Sequence, residues 1–127
     1  MKKIFITGAS SGIGEALAYE YAKHNYIIGL SARRLDLLKN IASECKNLGG
    51  TPFIYELDVK DDSKCNFIAK TFINDAGGID CVIANAGVSY SSPGTNPNAD
   101  TFEKTIAVNV LGAGFTAYAA IPAMLKQ

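Results

Sequence analysis

The sequence predicts an α/β fold, a doubly wound parallel sheet with strand order 3-2-1-4 and helices on both faces. Three observations carry that prediction. Short apolar runs alternate with segments of helical periodicity, and the alternation occurs four times in order. The fourth run, Asp80-Cys81-Val82-Ile83-Ala84, is apolar almost throughout instead of alternating, as expected where helices cover both faces of a sheet. Glycine punctuates nearly every junction, and crossovers between parallel strands are right-handed, which leaves few ways to arrange four such units.

Taken in order, residues 3–7 form an apolar run rich in β-branched side chains that stops at Gly8. From Gly12 to about Lys23, the residues Ile13, Ala16, Leu17 and Ala18 fall at helical spacing. Residues 26–31 repeat the buried-strand pattern. Leu35, Leu38, Ile41, Ala42, Cys45 and Leu48 then mark one face of a second helix, stopped at Gly49-Gly50. Residues 51–57 make a third strand. Asp61 or Asp62 caps the helix that follows, whose stripe is Cys65, Ile68, Ala69, Phe72 and Ile73 and whose end is Gly77-Gly78. After the fourth strand, residues 90–99 are punctuated by Ser, Pro, Gly and Asn and read as a loop. A long last helix begins at Asp100, which with Glu103 makes a capping-box-like pair, and runs toward Lys126.

The 127 residues, 48% of them apolar, suffice for one compact domain and are too few for two ordinary ones. Residues 1–127 are therefore read as a single domain. Twelve basic and twelve acidic side chains cancel, and no run of like charge exceeds two residues, so the chain has no electrostatic footprint for nucleic acid or a membrane surface. The start, Met1-Lys2-Lys3-Ile4-Phe5-Ile6, has the basic opening of an export signal, but Thr7 and Gly8 cut its apolar run short. A cytoplasmic location is expected, and no uninterrupted apolar stretch approaches bilayer-spanning length. Cys45, Cys65 and Cys81 are odd in number, far apart and without histidine partners. They are expected to be reduced thiols in the core, with no metal site.

The chemistry concentrates at the first turn, Thr7-Gly8-Ala9-Ser10-Ser11-Gly12-Ile13-Gly14. A turn between a strand and a helix at the carboxyl edge of a parallel sheet offers backbone N–H groups and the positive helix end to an anion. Gly8 serves the sharp turn, Gly12 removes a side chain where a pyrophosphate approaches, and Gly14 permits close helix packing. Ser10, Ser11 and Ile13 complete the cradle. A Gly-Lys-Ser/Thr ending is absent, which disfavours a nucleoside triphosphatase loop. At the end of the second strand an acid would hold the adenosine ribose of NAD. The chain instead reads Ser31-Ala32-Arg33-Arg34, and a guanidinium can pair with a 2′-phosphate. NADP(H) is the expected cofactor, with NAD(H) as the alternative. Arg33 is the expected contact, while Arg34 solvates the first turn of the next helix.

These residues resemble the short-chain dehydrogenase/reductase family, whose cofactor fingerprint is similar to Thr7-Gly8-x-x-x-Gly12-x-Gly14. Asn85-Ala86-Gly87 resembles the family's N-A-G motif after the fourth strand. Leu57-Asp58-Val59 resembles the segment whose aspartate holds the adenine amino group, and Asn109 in Val108-Asn109-Val110 resembles the asparagine of the catalytic set. The resemblance covers essentially the whole chain and implies a Rossmann-like dinucleotide-binding domain. It also implies a residue at position 33 that selects NADP(H). Each match keeps a second reading: Asp58 as a helix cap, Asn85 as a tie between neighbouring strands, and Asn109 as a local break in its helix.

By the same resemblance, catalysis requires a serine and a Tyr-x-x-x-Lys pair beyond Asn109, and neither occurs before Gln127. The chain is accordingly expected to be the incomplete, cofactor-binding half of its parent, with the later strands absent and without catalytic competence alone. The fourth strand would then be an uncharged open edge. The spacing Tyr19-x-x-x-Lys23 is a decoy, because it lies in the later turns of the first helix, away from the phosphate turn. His24, the only histidine, is expected to face the carbonyls that end that helix.

The expected function is an NADP(H)-dependent oxidoreductase moving hydride between nicotinamide and an alcohol or carbonyl substrate, a small molecule. The alternatives are a non-catalytic NADP(H)-binding module and an isomerase or lyase on the same fold. Helix 101–126, rich in small residues, and the fourth-strand edge are the expected contacts of a homo-oligomer.

Overall fold

The computed structural model describes residues 1–90 and 94–127. Its elements run β1 (Lys3–Thr7), α1 (Gly12–Lys23), β2 (Ile27–Ala32), α2 (Leu35–Asn47), β3 (Thr51–Glu56), α3 (Asp62–Ala76) and β4 (Cys81–Ile83). They continue as α4 (Ala99–Ile106), a π-helical segment (Ala107–Gly112) and α5 (Ala113–Met124). The four strands form one parallel sheet in the order β3-β2-β1-β4, as the sequence predicts. The register places Thr7 of β1 opposite Ser31 of β2, and Ile6 opposite Ile83 of β4.

Two buried clusters flank the sheet. One gathers Ile4, Ile6, Ile28 and Leu30 against Ala18 and Ala22 of α1 and Leu38, Ile41 and Cys45 of α2. The other sets Phe5, Tyr55 and Ile79 against Ile68 and Phe72 of α3 and Val108 and Ala120 of the last helix. Alternate residues of β1 thus feed opposite layers, as a strand's two-residue period requires. Both layers place the four strand ends that follow Thr7, Ala32, Glu56 and Ile83 on one edge.

Several expectations need correction. The buried face of α1 is Gly14, Ala18 and Ala22 with Leu17 beside it; Ala16 is exposed and Ile13 is 72% exposed. Spacing alone does not distinguish a stripe that faces the sheet from apolar residues beside it. The cap of the last helix is Asn98, whose Oδ1 accepts from the Asp100 N–H at 2.8 Å, so Asp100 lies in the first turn instead of at the cap. Cys45 and Cys65 are buried, but Cys81 is exposed, because β4 has a neighbour on one side only. β4 itself is shorter than the run that predicts it. Of the expected loop at residues 90–99, positions 91–93 lie outside the described residues.

The last helix also revises the reading of apolar lengths. Ala99–Met124 is one continuous helical stretch of 26 residues, long and apolar enough by composition to cross a membrane. It nevertheless turns Val108, Gly112, Thr116 and Ala120, spaced four apart, into the protein. That is the pattern of a helix laid on a core.

Candidate functional site

The four strand ends converge on a cavity of about 270 Å³ at the carboxyl edge of the sheet. Gly8, Ser10 and Ser11 of the first turn line it, with Ala32 and Arg33 after β2, Leu57, Asp58 and Val59 after β3, and residues 85–88 after β4. Val108 reaches it from the last helix. It lies between β1 and β4, where the strand order reverses, the place where ligands bind in open α/β sheets.

The first turn is shaped by contacts across that reversal. Gly8 has φ +64, and a side chain there would meet the backbone of Ala86 at 2.8 Å. A Cβ on Gly14 would overlap the Gly8 carbonyl, so α1 starts directly on the turn. Gly12 faces open space, the clearance that an approaching anion needs. Ala9 is tied to β2 by its N–H, which donates to the Ser31 carbonyl at 3.0 Å. The N–H groups of Gly12, Ile13 and Gly14 have no backbone acceptor among the described residues. An anion can therefore take the free donors that a helix start leaves. Ile13, expected in the cradle, is not among the cavity-lining residues, and its side chain is exposed.

Asn85 performs the strand-tying role that its sequence reading left open. Its Nδ2 donates to the carbonyls of Thr7 and Gly8, each at 3.1 Å. The Thr7 hydroxyl in turn accepts from the N–H groups of Asn85 and Ala86, both at 3.1 Å. This junction locks the N-A-G segment to the first turn. Gly87 and Ala86 stand beside it on the cavity wall.

The two arginines differ in their surroundings. Arg34 pairs with Asp36 in the first turn of α2 at 3.0 Å and holds that carboxyl below its usual range. Arg33 lines the cavity and has no acidic partner among the described residues. Asp58 is not a helix cap: Asp61 caps α3 by accepting from the Lys64 N–H at 3.0 Å. Asp58 lines the cavity, and its carboxylate is held by Lys60: Oδ1 accepts from the Lys60 N–H at 3.1 Å and Oδ2 lies 3.7 Å from the Lys60 Nζ.

Asn109 lies in the π-helical segment, so the expected break in the helix takes the form of a widened turn. Its side chain does not line the cavity directly. Oδ1 accepts from the Val88 N–H and Nδ2 donates to the Val88 carbonyl, both at 2.8 Å. Ala32, Val88 and Val108 line the cavity without having been singled out; their position beside the motifs is the only sequence signal for them.

The decoy pair is engaged elsewhere. Tyr19 donates to Glu15 at 2.7 Å, and burial together with that carboxylate pushes its phenol up to about 12. Lys23 pairs with Glu20 at 3.0 Å. The His24 imidazole lies 3.4 Å from the other Glu20 oxygen, so the carboxylate, not the helix's carbonyls, is its side-chain partner. Only the His24 backbone N–H serves the helix end, donating to the Tyr21 carbonyl. Among the described residues no group of three His, Cys, Asp or Glu side chains could hold a metal.

The family model described as "short chain dehydrogenase" matches residues 2–127. An 11-beta-hydroxysteroid dehydrogenase 1A of Arabidopsis thaliana is 37% identical over 123 residues, covering 95% of this chain and 35% of the relative. An alcohol dehydrogenase from the archaeon Thermococcus sibiricus, solved with 5-hydroxy-NADP, superposes with a TM-score of 0.93 at 35% identity. That match covers 99% of this chain and 54% of the other. A xylitol dehydrogenase bound to NAD+ gives a TM-score of 0.94 at 26% identity, over 99% and 49% of the two chains. The chain thus spans about half the length of these solved structures and about a third of the plant relative.

Proposed function

The chain belongs to the short-chain dehydrogenase/reductase family, and on that premise we propose that it forms the nucleotide-binding part of an NADP(H)-dependent oxidoreductase. The observation that carries the cofactor choice is Arg33, an exposed guanidinium on the cavity wall with no acidic partner among the described residues, where an acid would favour NAD. Free N–H groups at the start of α1 take the pyrophosphate. Asp58 accepts from the adenine amino group, and Val59 packs beside it. When bound, the cofactor supplies hydride chemistry toward an alcohol or carbonyl carbon. The residues of this chain bind and orient it: Ser10 and Ser11 flank the phosphates, and residues 85–87 form the floor under the dinucleotide. Asn109 acts through Val88, holding the wall beside the place where nicotinamide would lie.

The test is cofactor preference in the full-length protein. Arg33→Ala is expected to weaken NADPH binding about 10- to 100-fold, the worth of one charge-assisted hydrogen-bonded pair, and to leave NADH binding nearly unchanged. Titration calorimetry with both cofactors measures it, and an unchanged NADPH:NADH ratio would remove the 2′-phosphate assignment.

The same reading makes the protein a cytoplasmic homo-oligomer that joins through the outer face of the last helix. Val110, Tyr118, Ile121 and Leu125 stand exposed there.

A further inference from the structure

Gln127 follows the end of α5, and its side chain is used in full. Nε2 donates to the Ile79 carbonyl at 2.7 Å, and Oε1 accepts from the Ile79 N–H at 2.9 Å. A side-chain amide thereby makes the two-way exchange that a neighbouring strand would make with the residue preceding β4 by two. Gly78 leaves the room for it: its φ is +141, and a Cβ there would stand 2.8 Å from Gln127 Oε1.

The same arrangement recurs at the other end. Asn109 makes the two-way exchange with Val88, both bonds at 2.8 Å. Residues 79–88 contain β4 and the cavity-lining positions 85–88. The last helix ends at Met124 and residues 125–127 follow it, so the stretch 109–127 holds residues 79–88 at both ends. Within this chain β4 pairs with β1 over three residues.

We propose that Gln127 is a positioning residue for the nucleotide cavity: with Asn109 it makes residues 109–127 a splint that sets where the 79–88 segment lies. Through that segment it places Asn85 and Ala86, whose N–H groups meet the Thr7 hydroxyl at the phosphate turn. The link to cofactor affinity rests on the nucleotide-binding reading above; the link to β4 does not.

Two substitutions in the full-length protein test this. Gln127→Met keeps the length of the side chain and removes both hydrogen bonds, whereas Gln127→Glu keeps an acceptor for the Ile79 N–H but cannot donate to its carbonyl. Hydrogen exchange without cofactor is read by NMR at single amides. Gln127→Met is expected to speed exchange at Asn85 and Ala86 about 10-fold, the equivalent of one to two lost hydrogen bonds, with Leu30 and Ile54 unchanged. NADPH affinity is expected to fall several-fold in parallel, and Gln127→Glu to lie between Gln127→Met and the parent in both measurements. Faster exchange confined to Ile79, equal acceleration throughout the sheet, or unaltered NADPH affinity beside faster exchange at Asn85 and Ala86 would each overturn the proposal. If Gln127→Met fails to fold, the Gln127→Glu exchange pattern decides by the same criteria. If the parent binds no NADPH, the cofactor reading fails separately and the exchange pattern still decides whether the splint exists.

Discussion

The Thr7 hydroxyl accepts two N–H groups from a segment almost eighty residues later, and Asn85 returns two bonds to the carbonyls of Thr7 and Gly8. Sequence motifs locate both residues because each stands at or just past the end of a strand. What the motifs cannot convey is that they serve each other, since that depends on β4 pairing beside β1. The corrections at Ile13 and His24 have similar causes: a helical stripe does not reveal which way it faces, and a carboxylate one turn away competes with carbonyls for an imidazole. Tyr55 is a residue with a measurable signature. Its hydroxyl donates to Asp75 at 2.7 Å, and burial, with that hydrogen bond and carboxylate, pushes its ionisation far above the usual phenol range. Because the folded state holds the proton more tightly than the unfolded chain, the Tyr55 contribution is complete below about pH 10 and is lost as pH rises beyond it. Tyr55→Phe should cost about 1 kcal/mol at pH 7 in urea unfolding. The gap to the parent should narrow above about pH 10.

At the level of elements, boundaries that depend on capping separate what could be read from what could not. Asp61 and Asp62 are equivalent in sequence as starts for α3, but Asp61 accepts from the Lys64 N–H while Asp62 accepts from the Asn66 side chain. Asp61→Ala should therefore cost about 1 kcal/mol in denaturant unfolding, and Asp62→Ala less than half of that. The end of α3 was legible because Gly77 takes the left-handed conformation, φ 73, that closes a helix. The last helix was legible as a single long element with a weak point at Asn109. Its π-helical turn was not, because the turn is set by the grip on Val88 and by Gly112, where a Cβ would meet Val59 at 2.5 Å. Both partners come from other elements.

Across the whole molecule, strand order was readable because right-handed crossovers and a strand pattern without alternation leave few alternatives, and the glycine turn marks the reversal point. The cavity's motif residues were readable for the same reason: they are the first residues after strands that end on one edge. The outer surface of the last helix is a different matter, since apolar side chains suit a core, a subunit contact and a membrane alike. Tyr118 is 77% exposed and Leu125 81%. If, as proposed, that face is buried between subunits, Tyr118→Glu in the full-length protein should shift sedimentation toward a smaller species, with the far-ultraviolet circular dichroism retained.

Cys81 sits on β4 beside the open side of the sheet, whereas Cys45 is buried with its thiol pushed up to about 11 and burial also raises that of Cys65. The three thiols therefore differ in reactivity, because thiolate and access are both needed for attack. A maleimide at neutral pH should label Cys81 rapidly and the other two only on unfolding. Its labelling rate becomes a chemical meter of that edge: fast where β4 lies bare, slow where another strand or another subunit has closed over it.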